Sequence, residues 1–156
     1  MYLLSGENIT CGYSSVDILS NCTIGVKRGQ IASIVGPNGA GKSTAMKAIF
    51  GLLGIRKGKI LLDGEDITSL HPQDRVLKGM GFVPQTNNIF PSLSVQENLE
   101  MGAFIQDKDS ENMLNYIYEL FPILKDKRYQ QAGELSGGQR QQVAVGRALM
   151  TNPKAV

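Results

Sequence analysis

The sequence predicts an α/β fold with an antiparallel β region at its N-terminus and a helical insert near its middle. Three observations support this prediction: loosely alternating strands at the N-terminus, a glycine-rich segment inside a strand-to-helix transition at 31–50, and helical spacing over 86–135. At 156 residues the chain has the length of one domain, which buries about two-thirds of its unfolded surface.

The composition argues against several classes of protein. Hydrophobic residues make up 42% of the chain, which argues against disorder, and a net charge of +2 is too small to indicate a nucleic acid or lipid partner. The apolar runs are too short to span a bilayer, and we expect no signal peptide. Cys11 and Cys22 lack metal-ligand spacing and are interpreted as free thiols on neighbouring strands of a protein from a reducing cytosol, rather than as a disulfide.

Three strands are predicted before the glycine-rich segment. Loose alternation of apolar and polar residues indicates strands at 2–9 and 18–26, joined by a turn at 12–15. After a second turn, the run at 31–35 is short, apolar and rich in β-branched residues. Such a run predicts a buried parallel strand.

The segment that follows fits the phosphate-loop pattern of glycine, four residues, then Gly-Lys-Ser. Its residues are Gly36, Pro37, Asn38, Gly39, Ala40, Gly41, Lys42, Ser43 and Thr44. Good helix formers then fill 45–50, and Gly51 can end the helix. Strand, glycine loop and helix in this order form the context that the motif requires.

The residue types of this loop suit a polyphosphate. Gly39 and Gly41 permit backbone conformations in which consecutive N–H groups face one anion, and the helix start adds about half a positive charge. Lys42 would reach the β- and γ-phosphates of a nucleotide, and the Ser43 hydroxyl would bind Mg²⁺. The alternative is a glycine-rich turn with a solvated lysine, and the flanking elements favour the phosphate site.

Shorter elements are predicted between the loop helix and the helical insert. A strand at 60–62 closes at the Asp-Gly turn of 63–64. Pro72 fits the first turn of a helix that runs to about Lys78, and a further strand is predicted at 81–83. His71 is the only histidine and is expected to be a solvated residue before that helix.

Helices are predicted over the insert and after it. Ser94 and Glu97 have capping-box spacing and begin a helix to about Phe104, after which 107–110 is a polar break. Apolar residues then recur at helical spacing, at Met113, Leu114, Ile117, Leu120 and Phe121. Ser136 and Gln139 form a second capping-box pattern that begins the last helix.

The phosphate loop, the loop at Gln85 and the string LSGGQ at 135–139, in this order, resemble the ATP-binding subunit of an ABC transporter. The resemblance covers the whole chain, and its finer features are similar to the smaller ATPase of branched-chain amino acid importers. The segments that carry this finer similarity lie at 81–85, 89–91, 93–99 and 146–149.

The resemblance implies one partial ABC ATPase domain over 1–156, a P-loop NTPase core that lacks its C-terminal part. The β subdomain and nucleotide-binding core would comprise 1–85 and 136–156, and the helical subdomain 86–135. The family pattern continues with a strand that ends in Asp and a general-base Glu, followed by a switch histidine. We therefore expect an N-terminal fragment of a longer subunit, with ATPase activity near background on its own.

The resemblance also assigns roles, with ATP and Mg²⁺ as cofactors. Tyr13 would stack on adenine, and Gln85 would join Ser43 at Mg²⁺ and position the attacking water. The signature would contact ATP held by a second ATPase subunit through Ser136, Gly137, Gly138 and Gln139. From the residues alone, Tyr13 also fits an ordinary strand-end tyrosine, Gln85 a solvated loop residue, and Ser136 a plain helix cap.

The implied partners are a second ATPase subunit, identical or not, membrane-spanning permease subunits and, indirectly, an extracytoplasmic substrate-binding protein, with no nucleic acid. The implied location is the cytoplasmic face of the cell membrane. Two alternatives stay open. The chain could hold ATP without hydrolysing it, or it could be an ABC-type ATPase that acts outside transport, in translation or DNA repair.

Overall fold

The structure is a computed structural model that describes residues 1–105 and 109–156. The chain divides into two compact units, Met1–Lys78 and Gly79–Val156. The subdomain boundaries at 85/86 and 135/136 stay a prediction. None of the helices in the described ranges is long and apolar enough to cross a membrane.

The first unit is built on an antiparallel sheet. Its strands are β1 (Leu4–Cys11), β2 (Leu19–Val26), β3 (Lys57–Leu62) and β4 (Glu65–Asp66), in the order β2-β1-β3-β4. Its helices are α1 (Lys42–Phe50) and α2 (Pro72–Leu77). The predicted N-terminal antiparallel region is thereby confirmed, with observed strand boundaries shifted by up to two residues.

Helix α1 packs on the sheet through one face. Ala45, Ala48 and Ile49 are buried on that face because they recur at helical spacing. On β1, Gly6 leaves room for the Ile9 side chain, since a Cβ there would clash with Ile9 Cδ1. Ile9 and Ile60 complete this core and are fully buried. The helix that follows the phosphate loop is therefore anchored by its apolar face.

Three smaller sequence-based predictions hold in the first unit. Cys11 and Cys22 lie as free thiols on the paired strands β1 and β2, and Cys11 is fully buried. Burial raises the pKa of the Cys11 thiol. His71 is exposed at the N-cap position of α2. The Asp63 and Gly64 backbones both adopt positive φ, as expected for the predicted turn between β3 and β4.

The predicted strand at 31–35 is wrong. Among the described residues no strand includes this segment, and Ile31 is 98% and Val35 86% exposed. A parallel strand forms only by pairing with neighbouring strands, and the four-stranded sheet contains no pair with 31–35. The predicted strand at 81–83 is likewise not formed, since a single parallel bridge joins Met80 to Ala155 there.

The second unit is helical. It contains α3 (Val95–Gly102), α4 (Ser110–Leu120), α5 (Pro122–Asp126), a 3₁₀ turn (Ala132–Glu134) and α6 (Gly137–Leu149). Six hydrophobic side chains with no exposed surface form the centre of its core: Val95, Leu99, Ile117, Leu124, Ala132 and Val143. The predicted helical insert is confirmed, although α3 ends before Phe104. Residues 107 and 108 of the predicted polar break lie outside the described residues.

Both predicted capping boxes are present. The Ser94 hydroxyl accepts from the Glu97 N–H at 3.2 Å, and the Glu97 carboxylate accepts from the Ser94 N–H at 2.7 Å. These bonds, led by the Ser94 backbone N–H, hold the pKa of Glu97 below its usual range. Ser136 and Gln139 form the same reciprocal pair at the start of α6, at 3.3 and 3.2 Å. The two helices begin where the spacing predicts.

Gly146 sets the distance between α6 and the other helices. A Cβ at this position would lie 2.8 Å from Leu99 and 3.0 Å from Ile117. We expect Gly146→Ala to cost about 1–3 kcal/mol through overpacking, offset in part by about 1 kcal/mol of helix propensity. The free energy of unfolding in urea should therefore fall by about 1 kcal/mol.

Gly138→Ala is the matched control, because a Cβ at Gly138 meets no described atom within 4 Å. Equal urea midpoints for Gly146→Ala and Gly138→Ala would contradict this account of the packing.

Candidate functional site

The glycine loop lies against β2 and turns sharply into α1. Pro37 O accepts from the Ala40 N–H at 3.2 Å, which closes the turn. Gly39 has φ +85° and Gly41 φ +88°, conformations that side chains with a Cβ rarely adopt. A Cβ at Gly41 would also lie 2.8 Å from the Leu19 side chain. Glycine is thus required for both the backbone conformation and the close contact.

Lys42, the first residue of α1, reaches back over the loop. Its ammonium donates to Gly36 O at 2.8 Å and to Pro37 O at 2.7 Å. An ammonium has three donors, so one N–H remains for a further acceptor. The ion pairs found within the described residues join other side chains, and none includes Lys42. The loop therefore carries a positive charge that no carboxylate in these ranges neutralises.

The N-terminus of α1 is also without a side-chain cap. Gly41 occupies the N-cap position, and within residues 1–105 and 109–156 no side chain accepts from the first turn. That turn contains no Asp or Glu, so its N–H groups and helix dipole are available to an anion. Ser43 is exposed in this turn, whereas Thr44 is buried. These features fit a polyphosphate, with Ser43 able to hold Mg²⁺.

Tyr13 lies beside the same helix. The residue is 47% exposed, and the Lys47 ammonium on α1 lies 5.9 Å from the centroid of its ring. Lys47 follows Lys42 by five residues, which corresponds to about 7.5 Å along the helix axis. The structure therefore brings an exposed aromatic face and the phosphate loop together in one unit. The contact with Lys47 holds the ring near α1 by a cation–π interaction.

Gln85 belongs to the second unit and is exposed. The loop around it is tied to α6 by Asn88. The Asn88 side-chain amide donates to Pro84 O at 3.2 Å and to the Gln141 side-chain oxygen at 3.1 Å. Because Gln141 lies on α6, the loop at Gln85 and the helix that carries the LSGGQ string are directly connected.

The LSGGQ string lies at the start of α6. Ser136 is its N-cap, which confirms the structural interpretation of this serine, and Gln139 completes the capping box. Gly137 and Gly138 are exposed, and a Cβ at either would meet no described atom within 4 Å. The first turn of α6 contains no acidic residue. A second glycine-opened helix start is thus accessible to an anion, although its cap already uses one N–H group.

Two buried polar residues were missed by the sequence analysis. Asn98 is fully buried, accepts from the Phe90 N–H at 2.7 Å and donates to Phe90 O at 2.9 Å, which holds the segment after the Gln85 loop. Arg75 is buried against the end of α1. In the sequence, polar residues on amphipathic helices suggest solvent exposure, so no local signal identified either residue.

An antiparallel sheet, an uncapped helix behind a glycine loop, and a second helix opened by LSGGQ define an ATP-binding cassette by fold and site. A family model described as "ABC transporter" matches residues 19–156. The chain therefore belongs to the ABC transporter family, as the sequence analysis predicted.

Two similar proteins of named function support this assignment. The chain is 39% identical to the probable branched-chain amino acid transport ATP-binding protein LivF of Archaeoglobus fulgidus, and the match covers 95% of this chain and 63% of the relative. It is 38% identical to the high-affinity branched-chain amino acid transport ATP-binding protein BraG of Pseudomonas aeruginosa, over 97% of this chain and 66% of the relative. The chain thus spans slightly less than two-thirds of the length of these relatives.

Solved structures confirm the fold class. A nucleotide-free ATP-binding cassette from an ABC transporter superposes with a TM-score of 0.86 at 33% identity, over 98% of this chain and 66% of that one. A cassette in its ADP conformation gives a TM-score of 0.84 at the same identity and with the same shares covered. The coverage agrees with the predicted partial ABC ATPase fold.

Proposed function

We propose that this chain binds ATP with Mg²⁺ at its glycine loop and forms part of an ATPase that drives transport across a membrane. The observation that carries the proposal is the uncompensated Lys42 ammonium above an uncapped helix N-terminus. A triphosphate supplies negative charge to balance the ammonium, and its oxygens are acceptors for the N–H donors that this arrangement leaves free.

Within this site, the backbone of 36–41 surrounds the phosphates and Lys42 turns its remaining donor toward them. The Ser43 hydroxyl would hold Mg²⁺, which would supply positive charge against the phosphates. Tyr13 stacks on adenine beside α1. Asn38, Ala40 and Thr44 complete the nine-residue loop, in which buried Thr44 fixes the first turn of α1 to the core.

The second glycine-opened helix extends the proposal to two ATPase subunits. Gly137 and Gly138 contact the γ-phosphate of ATP held by the partner, together with the Ser136 hydroxyl, while Gln139 maintains the cap. Gln85 would help to hold Mg²⁺ and orient water in the first subunit. The Asn88 bond to Gln141 supports a link between these two motifs, since it joins the Gln85 loop to α6.

For the transported substrate we propose amino acids, with branched-chain amino acids first. LivF and BraG, at 39% and 38% identity, carry that substrate in their names. A lipopolysaccharide export ATP-binding protein at 36% identity and a probable sulfate/thiosulfate import ATP-binding protein at 37% carry other substrates in their names. The partners are permease subunits and an extracytoplasmic binding protein, with the ATPase peripheral on the cytoplasmic face.

The substitution Lys42→Ala tests the contribution of the Lys42 ammonium to ATP binding. Loss of a charge-assisted donor to phosphate should weaken ATP binding by about 1.5–3 kcal/mol, or about 10- to 150-fold in Kd. Isothermal titration of the chain with MgATP measures this change. Lys59→Ala is the control, because Lys59 is exposed on β3. An unchanged Kd for Lys42→Ala would remove this residue from the site.

The aromatic face of Tyr13 is tested by two substitutions that separate stacking from the hydroxyl. Tyr13→Ala should weaken ATP binding by about 1–3 kcal/mol through lost stacking, whereas Tyr13→Phe should bind as the parent does. Inorganic triphosphate lacks a base, so its Kd should be the same for both variants. The adenine assignment is wrong if Tyr13→Ala affects ATP and triphosphate equally.

A further inference from the structure

Arg75 is a charged side chain with almost no exposed surface. It lies on α2 and is 2% exposed. Among the described residues its hydrogen-bond acceptors are four carbonyl oxygens, two at the end of α1 and two in the segment before α2. They belong to Ala48, Ile49, Thr68 and Leu70. The guanidinium thus connects the end of the phosphate-loop helix to a neighbouring segment.

Burying the Arg75 guanidinium costs free energy unless acceptors lie where its N–H groups can donate to them. Burial lowers the pKa of Arg75 by desolvation, and the acceptors named above are neutral carbonyls. The last carbonyls of a helix lack partners within the helix and carry its negative dipole end. A planar fork with five N–H donors can satisfy several such carbonyls at once, whereas a lysine ammonium cannot.

Gly51 shapes the place where the guanidinium lies. It is the C-cap of α1, with φ +85°, and its N–H donates to Ala48 O at 3.1 Å. A Cβ at Gly51 would lie 2.8 Å from Arg75 Nε and 2.9 Å from Cζ. Both the left-handed cap and the guanidinium position therefore depend on a glycine here.

We propose that Arg75 is a positioning residue for the phosphate loop. Helix α1 has nine residues and is a rigid rod of about 13 Å. Arg75 fixes its C-terminal end, and the N-terminal end carries Lys42 and the free N–H groups. Because the rod moves as one body, the bond network at one end sets where the donors lie at the other. This inference rests on the proposed binding of a polyphosphate.

The test is Arg75→Lys, titrated with inorganic triphosphate at a temperature where circular dichroism shows the variant fully folded. Lysine keeps the charge but reaches fewer of the carbonyls. Outer groups that orient binding groups are worth about 10- to 100-fold in affinity at metal sites, so we expect Kd to rise about tenfold. A merely structural role would lower Tm and leave this Kd unchanged.

Gly51→Ala is the second variant, because its Cβ would displace the guanidinium, although it also strains the left-handed cap of α1. It should likewise raise the Kd for triphosphate, and an unchanged Kd in folded Gly51→Ala contradicts the positioning role even if Arg75→Lys does not fold. Arg28→Lys is the control, since Arg28 is an exposed arginine paired with Asp63 at 3.0 Å in the same unit.

The outcomes separate this inference from the proposed function. A higher Kd for triphosphate in Arg75→Lys and Gly51→Ala, with the Kd of Arg28→Lys unchanged, supports the positioning role. If Lys42→Ala weakens triphosphate binding while both of these variants bind as the parent does, Arg75 is structural only and the proposed function stands. If the parent chain does not bind triphosphate, the proposed function and this inference both fail.

Discussion

The uncapped start of α1 is the constraint on which the rest of this structure depends. A helix start leaves N–H groups without partners, and most helices satisfy some of them with a side chain. Here glycine occupies the cap, no acidic residue lies in the first turn, and the lysine at the first helical position is held by loop carbonyls. The fold keeps this end open by fixing the rest of the helix, through Ile49 in the core and Arg75 at the far end.

The two glycine-opened helices of the chain treat their N-termini differently. Helix α6 carries a complete capping box, so the Ser136 hydroxyl accepts from one of its free N–H groups. Helix α1 has no comparable cap in the described part of the chain. The difference is consistent with a principal phosphate site at α1 and a secondary contact at α6. In the second unit, α6 is held by the close approach at Gly146 and by Asn88, which bonds to Gln141.

Features encoded by neighbouring residues were predictable from the sequence, and features that depend on distant partners were not. The capping boxes at Ser94 and Ser136 follow from a spacing of three residues, and both helices begin there. The helix after the glycine loop was likewise predictable, because good helix formers follow the glycine-rich residues that end at Gly41. By contrast, the apolar run at 31–35 predicts a strand, yet pairing partners decide whether a strand forms. The role of Arg75 depends on carbonyls more than twenty residues away, which no local pattern reveals.

The central claim is that the amides and ammonium at the start of α1 hold a polyphosphate, and amide chemical shifts on titration with inorganic triphosphate test it most directly. The account predicts saturable shifts for Gly39, Gly41, Lys42 and Ser43, with little change at 57–59, the exposed residues of β3. Saturable binding that leaves these amides unshifted, or no binding at all, would contradict it.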